Sequence, residues 1–216
     1  MNDSHDIHVG VLAMQGAFAR HVAVLQERGV RASEVRTPAE LAAVDALVIP
    51  GGESTAIRKA LDRGELLEPL RERLASGMPA FGTCAGLIVL AHAAEDGAPE
   101  TYGALDVDVA RNGFGRQVHS FEGSVDMSGG DLGDLDGGRL SGVFIRAPRI
   151  TRLGDDVTVL GRLAGGEHDG EPVVVRQGNL LGATFHPELT DDPALHARFV
   201  ELVRAALAAP ATTSAP

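Results

Sequence analysis

Gly82-Thr83-Cys84-Ala85-Gly86 places the one cysteine of this 216-residue chain where an apolar run meets a helical pattern. Small residues on both sides permit a tight strand-to-helix turn that lifts a nucleophile off a sheet, with sulfur in place of the usual hydroxyl. A helix starting at Ala85 directs its positive end at the sulfur and favours thiolate. It also sets the Ala85 N–H beside any oxyanion that attack would create. A lone cysteine is most often a small buried hydrophobe, but the strand, elbow and helix around Cys84 argue for a reactive one.

A thiol nucleophile needs a base, and the chain has eight histidines. His5 and His8 fall in or near a frayed N-terminus. His21, His92 and His196 lie on helical patterns and read as packing or surface residues. His119 sits in a strand pattern and His168 in a Gly/Asp-rich turn. His186 differs, because it ends an apolar stretch (Ala183-Thr184-Phe185) and precedes Pro187-Glu188. Proline biases His186 toward extended backbone, in which residues i and i+2 share a face. Glu188 is then placed to hold the imidazole in tautomer and orientation. A third element, Pro50-Gly51-Gly52-Glu53-Ser54, allows backbone N–H groups to turn inward as a nest for an anion or carbonyl oxygen. No Gly-Lys-Ser/Thr follows, so it is not a nucleotide phosphate loop.

These residues need a scaffold, and the first half supplies alternating strand and helix signals. Strands are expected at Val9–Met14, Ala32–Val35, Ala46–Ile49 and Ala80–Thr83. Helices are expected at Ala17–Arg28, from Thr37-Pro38 to Val44, beyond Ser54 as N-cap, at Leu66–Ala75 and at Ala85–Ala94. This alternation implies a parallel sheet covered on both faces, with chemistry at the carboxyl ends of the strands. Three loops fall there: Gln15-Gly16, Pro50 to Ser54, and the turn at Cys84. The second half is richer in strands, expected at Val107–Arg111, Gln117–Ser124, Gly142–Ile145, Val157–Leu163, Pro172–Gln177 and Leu180–Thr184. A hairpin is expected at Gln177-Gly178-Asn179, and a last helix from Asp192-Pro193 to Ala208. Residues 1–208 read as one domain, 209–216 as a disordered tail, and Glu95–Glu100 and Ser128–Gly138 as surface loops.

Bulk properties narrow the partners. A net charge of −11 repels nucleic-acid phosphates and anionic membranes. One cysteine allows no internal disulfide and no Cys-based metal cluster. No apolar stretch approaches a membrane span, and the N-terminus lacks a secretory pattern, so a cytoplasmic location is expected.

Taken together, Gly-Thr-Cys84-Ala-Gly and His186-Pro-Glu188 resemble the class I (triad) glutamine amidotransferases. A closer likeness, to the glutaminase branch of pyridoxal 5′-phosphate synthase, rests on Val11 to Gly16, Pro50 to Thr55, Gly82 to Leu90, Arg111-Asn112-Gly113-Phe114-Gly115-Arg116-Gln117, Phe144-Ile145-Arg146-Ala147-Pro148 and Phe185 to Thr190. The resemblance implies an α/β three-layer sandwich with a mostly parallel central sheet, flanking helices and extra antiparallel strands. It implies Cys84, His186 and Glu188 as triad, and Gly52, Glu53, Ser54, Arg111, Ile145 and Arg146 as glutamine-binding residues. Gly51, Ala85 and Gln15 match positions at the oxyanion site. The implied partner is a TIM-barrel synthase subunit in a large hetero-oligomer, receiving ammonia from L-glutamine; the implied half-reaction uses no metal or organic cofactor. Alternatives are a glutaminase serving imidazole ring synthesis, a non-catalytic regulator of the same fold, or a peptide-directed cysteine hydrolase.

Overall fold

Apolar residues in the N-terminal strands alternate between two clusters, and that period of two builds a sheet buried on both faces. The computed structural model describes residues 7–95, 101–114, 120–128 and 138–209. Val9 and Val11 of β1 (His8–Leu12) and Ala46 and Val48 of β3 (Ala46–Ile49) pack on one face, whereas Leu12, Leu47 and Ile49 pack on the other. The remaining strands are β2 (Arg31–Val35), β4 (Ala80–Thr83), β5 (Ala91–Ala94), β6 (Leu105–Ala110), β7 (Phe121–Asp126), β8 (Arg139–Phe144), β9 (Arg149–Leu153), β10 (Thr158–Ala164), β11 (Pro172–Gln177) and β12 (Leu180–Ala183).

The main sheet runs β2-β1-β3-β4-β12-β11-β10-β7-β8. Its first five strands are parallel, and the other four continue antiparallel. One face carries α1 (Phe18–Glu27) and α6 (Ala194–Ala208), packed through Leu25, Phe199 and Val203. The other carries α2 (Pro38–Ala42), α3 (Ser54–Arg63), α4 (Leu67–Ala75) and α5 (Ala85–Leu90), through Leu41, Ile57, Leu70 and Leu87. A second sheet, β5-β6-β9, adds Val107 and Val109 to that side. Each buried Leu or Phe side chain contributes roughly 1.5–3 kcal/mol of transfer free energy. The expected three-layer α/β architecture is therefore present, with antiparallel strands appended to its parallel half. No helix among the described residues is long and apolar enough to cross a membrane.

Several local expectations are corrected. The helix expected over Ala85–Ala94 stops at Leu90, and Ala91–Ala94 is a strand. Those alanines favour helix locally, but parallel pairing of Ala91 with Leu105 and Ala93 with Asp108 overrides the preference. Strand β9 was not expected. Its Arg-Ile-Thr-Arg-Leu run buries only Ile150, so the apolar signal is weak. His8 is not frayed: it opens β1, with Nδ1 3.0 Å from the Ala43 carbonyl and Nε2 2.7 Å from Ser33 Oγ. The N-cap of α3 is Glu53 rather than Ser54. Thr37 does cap α2, in a reciprocal capping box with Glu40. The strand expected from Gln117 begins at Phe121; its first residues, His5, His119, Arg116, most of the two Gly/Asp-rich loops and the tail from residue 210 lie outside the described residues.

Candidate active site

The sheet brings the reactive groups together because β4 and β12 are parallel neighbours, with Thr83 opposite Ala183. Adjacent strands lie about 4.8 Å apart, so the turns after them share one rim. At the end of β4 the Cys84 N–H donates to the Ala183 carbonyl at 2.8 Å. Cys84 has φ 49°, a left-handed conformation for a non-glycine residue, which costs on the order of 1–3 kcal/mol. The strain aims the side chain away from the sheet and into the rim. Helix α5 folds back closely enough that a Cβ on Gly86 would lie 1.9 Å from the Ile49 carbonyl oxygen, so only glycine fits there. The Ala85 N–H, at the first turn of α5, has no intrahelical acceptor.

His186 follows β12 and is pinned from the far side of the sheet, its N–H donating to the Val143 carbonyl at 2.9 Å. The expectation that Glu188 reaches His186 along extended backbone is corrected. Pro187–Leu189 is a single 3-10 turn, and that turn swings Glu188 back under the ring. The contact is made nonetheless: His186 Nδ1 lies 2.8 Å from Glu188 Oε1, with Glu188 only 1% exposed. Burial opposes charge on His186, but hydrogen bonds and the negative charges of Cys84 and Glu188 overcome it and push the ring up to about 10. Burial likewise opposes ionisation of Glu188, yet the hydrogen bond to His186 and the nearby His21 ring hold it well below the usual carboxylate range.

A cavity of about 330 Å³ opens over the sulfur, lined by Gln15, Gly52, Glu53, Cys84, Ala85, Ile88, Arg111, Asn112, Ile145, Arg146 and His186. Of the residues singled out from sequence, only Gly51, Ser54 and Glu188 are absent from this wall. Gly51 sits directly behind His186, where a Cβ would lie 2.3 Å from the ring's Cε1. Its N–H donates to Thr83 Oγ1 at 3.1 Å and so is already engaged. Ser54 is buried as the first residue of α3. Glu53 accepts from Thr55 N–H at 3.0 Å and Ala56 N–H at 2.9 Å, and its Oε1 lies 3.7 Å from Arg111 Nη2. Burial raises the Glu53 carboxyl, but those N–H groups and Arg111 bring it below its ordinary value. Gln15 packs against Gly52, and its buried Oε1 has no hydrogen-bond partner among the described residues. Across the cavity the Ile145 carbonyl lies 3.8 Å from Cys84 Sγ, and Arg146 Nε donates to Asn112 Oδ1 at 3.4 Å.

The arrangement can perform acyl transfer on an amide: a thiol, a charged ring able to protonate a leaving amine, a helix N-terminal N–H, and an acidic and a basic group on the cavity wall. Sequence reasoning passed over Asn112 and Ile88 as cavity residues. Asn112 lies inside the Arg111-Asn112-Gly113 run, and its φ of 52° is of the kind Asn tolerates. It also set aside His21, whose Nε2 is 3.3 Å from Glu188 Oε2. Among the described residues no group of three or more His, Cys, Asp or Glu could hold a metal ion.

Residues 11–205 match the SNO glutamine amidotransferase family. The chain belongs to that family. It is 56% identical over 199 residues, 91% of this chain and 94% of the relative, to pyridoxal 5′-phosphate synthase subunit PdxT of Acidothermus cellulolyticus. It is 51% identical over 201 residues, 92% of this chain and 98% of the relative, to the protein of the same name in Salinispora arenicola. A crystal structure described as a glutamine amidotransferase superposes with a TM-score of 0.79 at 46% identity, covering 90% of this chain and 98% of that one. At 17% identity, a glutamine amidotransferase from Thermotoga maritima shares the fold, with a TM-score of 0.59 over 94% of this chain and 84% of that one.

Proposed function

We propose that the protein hydrolyses L-glutamine to L-glutamate and ammonia, and that the ammonia serves a pyridoxal 5′-phosphate synthase. The observation that carries this reading is one cavity that holds Cys84 and His186 on one wall and the Glu53–Arg111 pair on another. Arg111 suits the α-carboxylate of free glutamine and Glu53 its α-ammonium group, while Ile145, Arg146, Gly52 and Ser54 complete the binding wall and the loop behind it.

The Cys84 thiolate attacks the side-chain amide carbon. The Ala85 and Gly52 N–H groups receive the oxyanion beside Gln15. His186 gives its proton to the departing nitrogen, so ammonia leaves and a thioester remains. Acylation removes the sulfur's negative charge, one of the influences that keep His186 charged, so the ring is left neutral and able to take a proton from water. Water adds to the thioester, glutamate departs, and the thiol is restored. The named relatives are subunits of a pyridoxal 5′-phosphate synthase, which supports a synthase partner; the hetero-oligomer and a cytoplasmic location belong to the same proposal.

The test is glutamate release from L-glutamine by the full-length chain, with and without the synthase subunit of the same organism. Release that requires Cys84 is expected. Undiminished release by Cys84→Ala would overturn the mechanism, and stimulation only by a synthase of imidazole ring formation would overturn the partner.

A further inference from the structure

We propose that His21 is a positioning residue for the Cys84–His186–Glu188 centre, its Nε2–H holding the second oxygen of Glu188 and its tautomer fixed by His196. The inference rests on the reading of that centre given above. His21 on α1 and His196 on α6 come from the two helices covering one face of the sheet, and both are fully buried. His21 Nδ1 lies 2.8 Å from His196 Nε2. On its other edge His21 Nε2 lies 3.3 Å from Glu188 Oε2 and 3.5 Å from Thr83 Oγ1. Glu188 Oε1 is taken by His186. Oε2 has no hydrogen-bond partner among the described residues, so His21 Nε2, at 3.3 Å, is the nitrogen placed to hold it.

Proton placement follows from the contacts. Burial pushes His196 down to about 3, so the ring carries a single proton. Its Nδ1 is buried with no partner among the described residues. A buried N–H without an acceptor is costlier than an unmet lone pair, so that proton sits on Nε2 and is donated to His21 Nδ1. A ring that accepts at Nδ1 must carry its own proton on Nε2, and this edge faces Glu188 and Thr83. The charged or titratable groups around the pair are Glu188, His186 and Cys84 on the rim, with Arg28, just past the end of α1, acting on His196. Thr83 Oγ1 also receives the Gly51 N–H, so the same histidine edge borders the loop expected to hold substrate. No proton moves along this chain during turnover; it fixes where the carboxylate stands.

Two measurements test it. In the ¹⁵N-histidine-labelled full chain, His21 is expected with its proton on Nε2 and a bare Nδ1; a proton on Nδ1, with or without one on Nε2, overturns the proposal. In glutamine hydrolysis with the synthase subunit present, His21→Met is expected to lower kcat roughly ten- to a hundredfold with KM little changed. His186 should then titrate at lower pH by NMR, and His21→Gln, which keeps an N–H near the Nε2 position, should restore most of both. A folded His21→Met with wild-type kcat and wild-type His186 titration overturns it. Should His21→Met fail to fold, the tautomer decides alone. The tautomer and the His186 titration do not depend on substrate, so a failure of the glutaminase assignment would be seen separately.

Discussion

The parallel half of the main sheet and two loops beyond it, one from the small second sheet and one from the antiparallel edge, do different work at the same cavity. Cys84 and His186 stand at the ends of β4 and β12, central strands whose register is fixed by neighbours on both sides. Cys84 is 5% exposed, and Glu188, His21 and His196 are buried deeper still. Arg111, Asn112, Ile145 and Arg146 come instead from two loops that leave β6 and β8. Those loops are tied to each other by the Gly113 N–H to Ala147 carbonyl bond of 3.1 Å and by pairing of Ala110 with Arg149. They carry two left-handed non-glycine residues, Asn112 and Arg146, and the half-exposed Ile145. Buried hydrogen-bonded geometry thus sets the reacting atoms, and exposed strained loops set what is held against them. Changes in the first region should fall on kcat and changes in the second on KM.

The largest break of that contrast is Glu188→Gln. An amide keeps the shape but can present N–H to His186 Nδ1, which reverses the ring's tautomer. By analogy with the same change in a serine triad, kcat should fall by about 10³–10⁴ with KM nearly constant. Steady-state kinetics of glutamate release checks this, and a change confined to KM would contradict the division. Next comes pH. His186 is raised from 6.5 to about 10, and the charged ring is the form that protonates the leaving nitrogen. Activity should therefore persist through neutrality and fall as pH rises through about 10. The sign for stability is the same: a raised folded value contributes fully below the unfolded value and is lost as pH climbs through the folded one. Recorded across pH, Tm should decline from about 6.5 and level off above about 10, whereas the rate should fall only as pH passes about 10. Gly51→Ala should follow, since its methyl would sit 2.3 Å from the His186 ring; the displaced imidazole should cost about a hundredfold in kcat.

How far these roles were legible in sequence depends on how local each contact is. The Cys84 elbow is a five-residue pattern and was readable, as was the alternation that builds the parallel half. The His186–Glu188 contact was readable but for a partly wrong reason, because a 3-10 turn rather than extended backbone makes it. The His21–His196 contact spans 175 positions, and nothing in either helix distinguishes those histidines from packing residues. Strand β5 was hidden by alanines that favour helix until β6 pairs with them. The cap of α3 was misplaced by one residue because serine is the commoner cap, while Glu53 reaches two N–H groups at once.

In the loops, Arg111→Lys keeps the charge but loses the planar fork. KM for glutamine should rise about tenfold, the equivalent of one charge-assisted hydrogen bond, with kcat within about twofold of wild type. An equal loss in kcat would mean that the loop positions the reacting amide as well as the α-carboxylate.

Glu53 sharpens the comparison because it belongs to both regions. Its oxygens cap α3 on the parallel side, and Oε1 also faces Arg111 on the other. Glu53→Gln keeps one acceptor for the helix and removes the charge. The loss of favourable interaction with the helix end should be small, about 0.5 kcal/mol at so exposed a position. In the wild type, burial raises the carboxyl but the helix N–H groups and Arg111 win. Its contribution to stability is therefore present above the unfolded value and lost as pH falls through the folded one. The variant should show a slightly lower Tm near neutrality and a difference from wild type that shrinks in acid. If Glu53 also receives the α-ammonium group, KM should rise severalfold while kcat holds. Were Glu53 only a cap, Tm would move and KM would not, and the α-ammonium group would have to be met by an uncharged acceptor on the cavity wall.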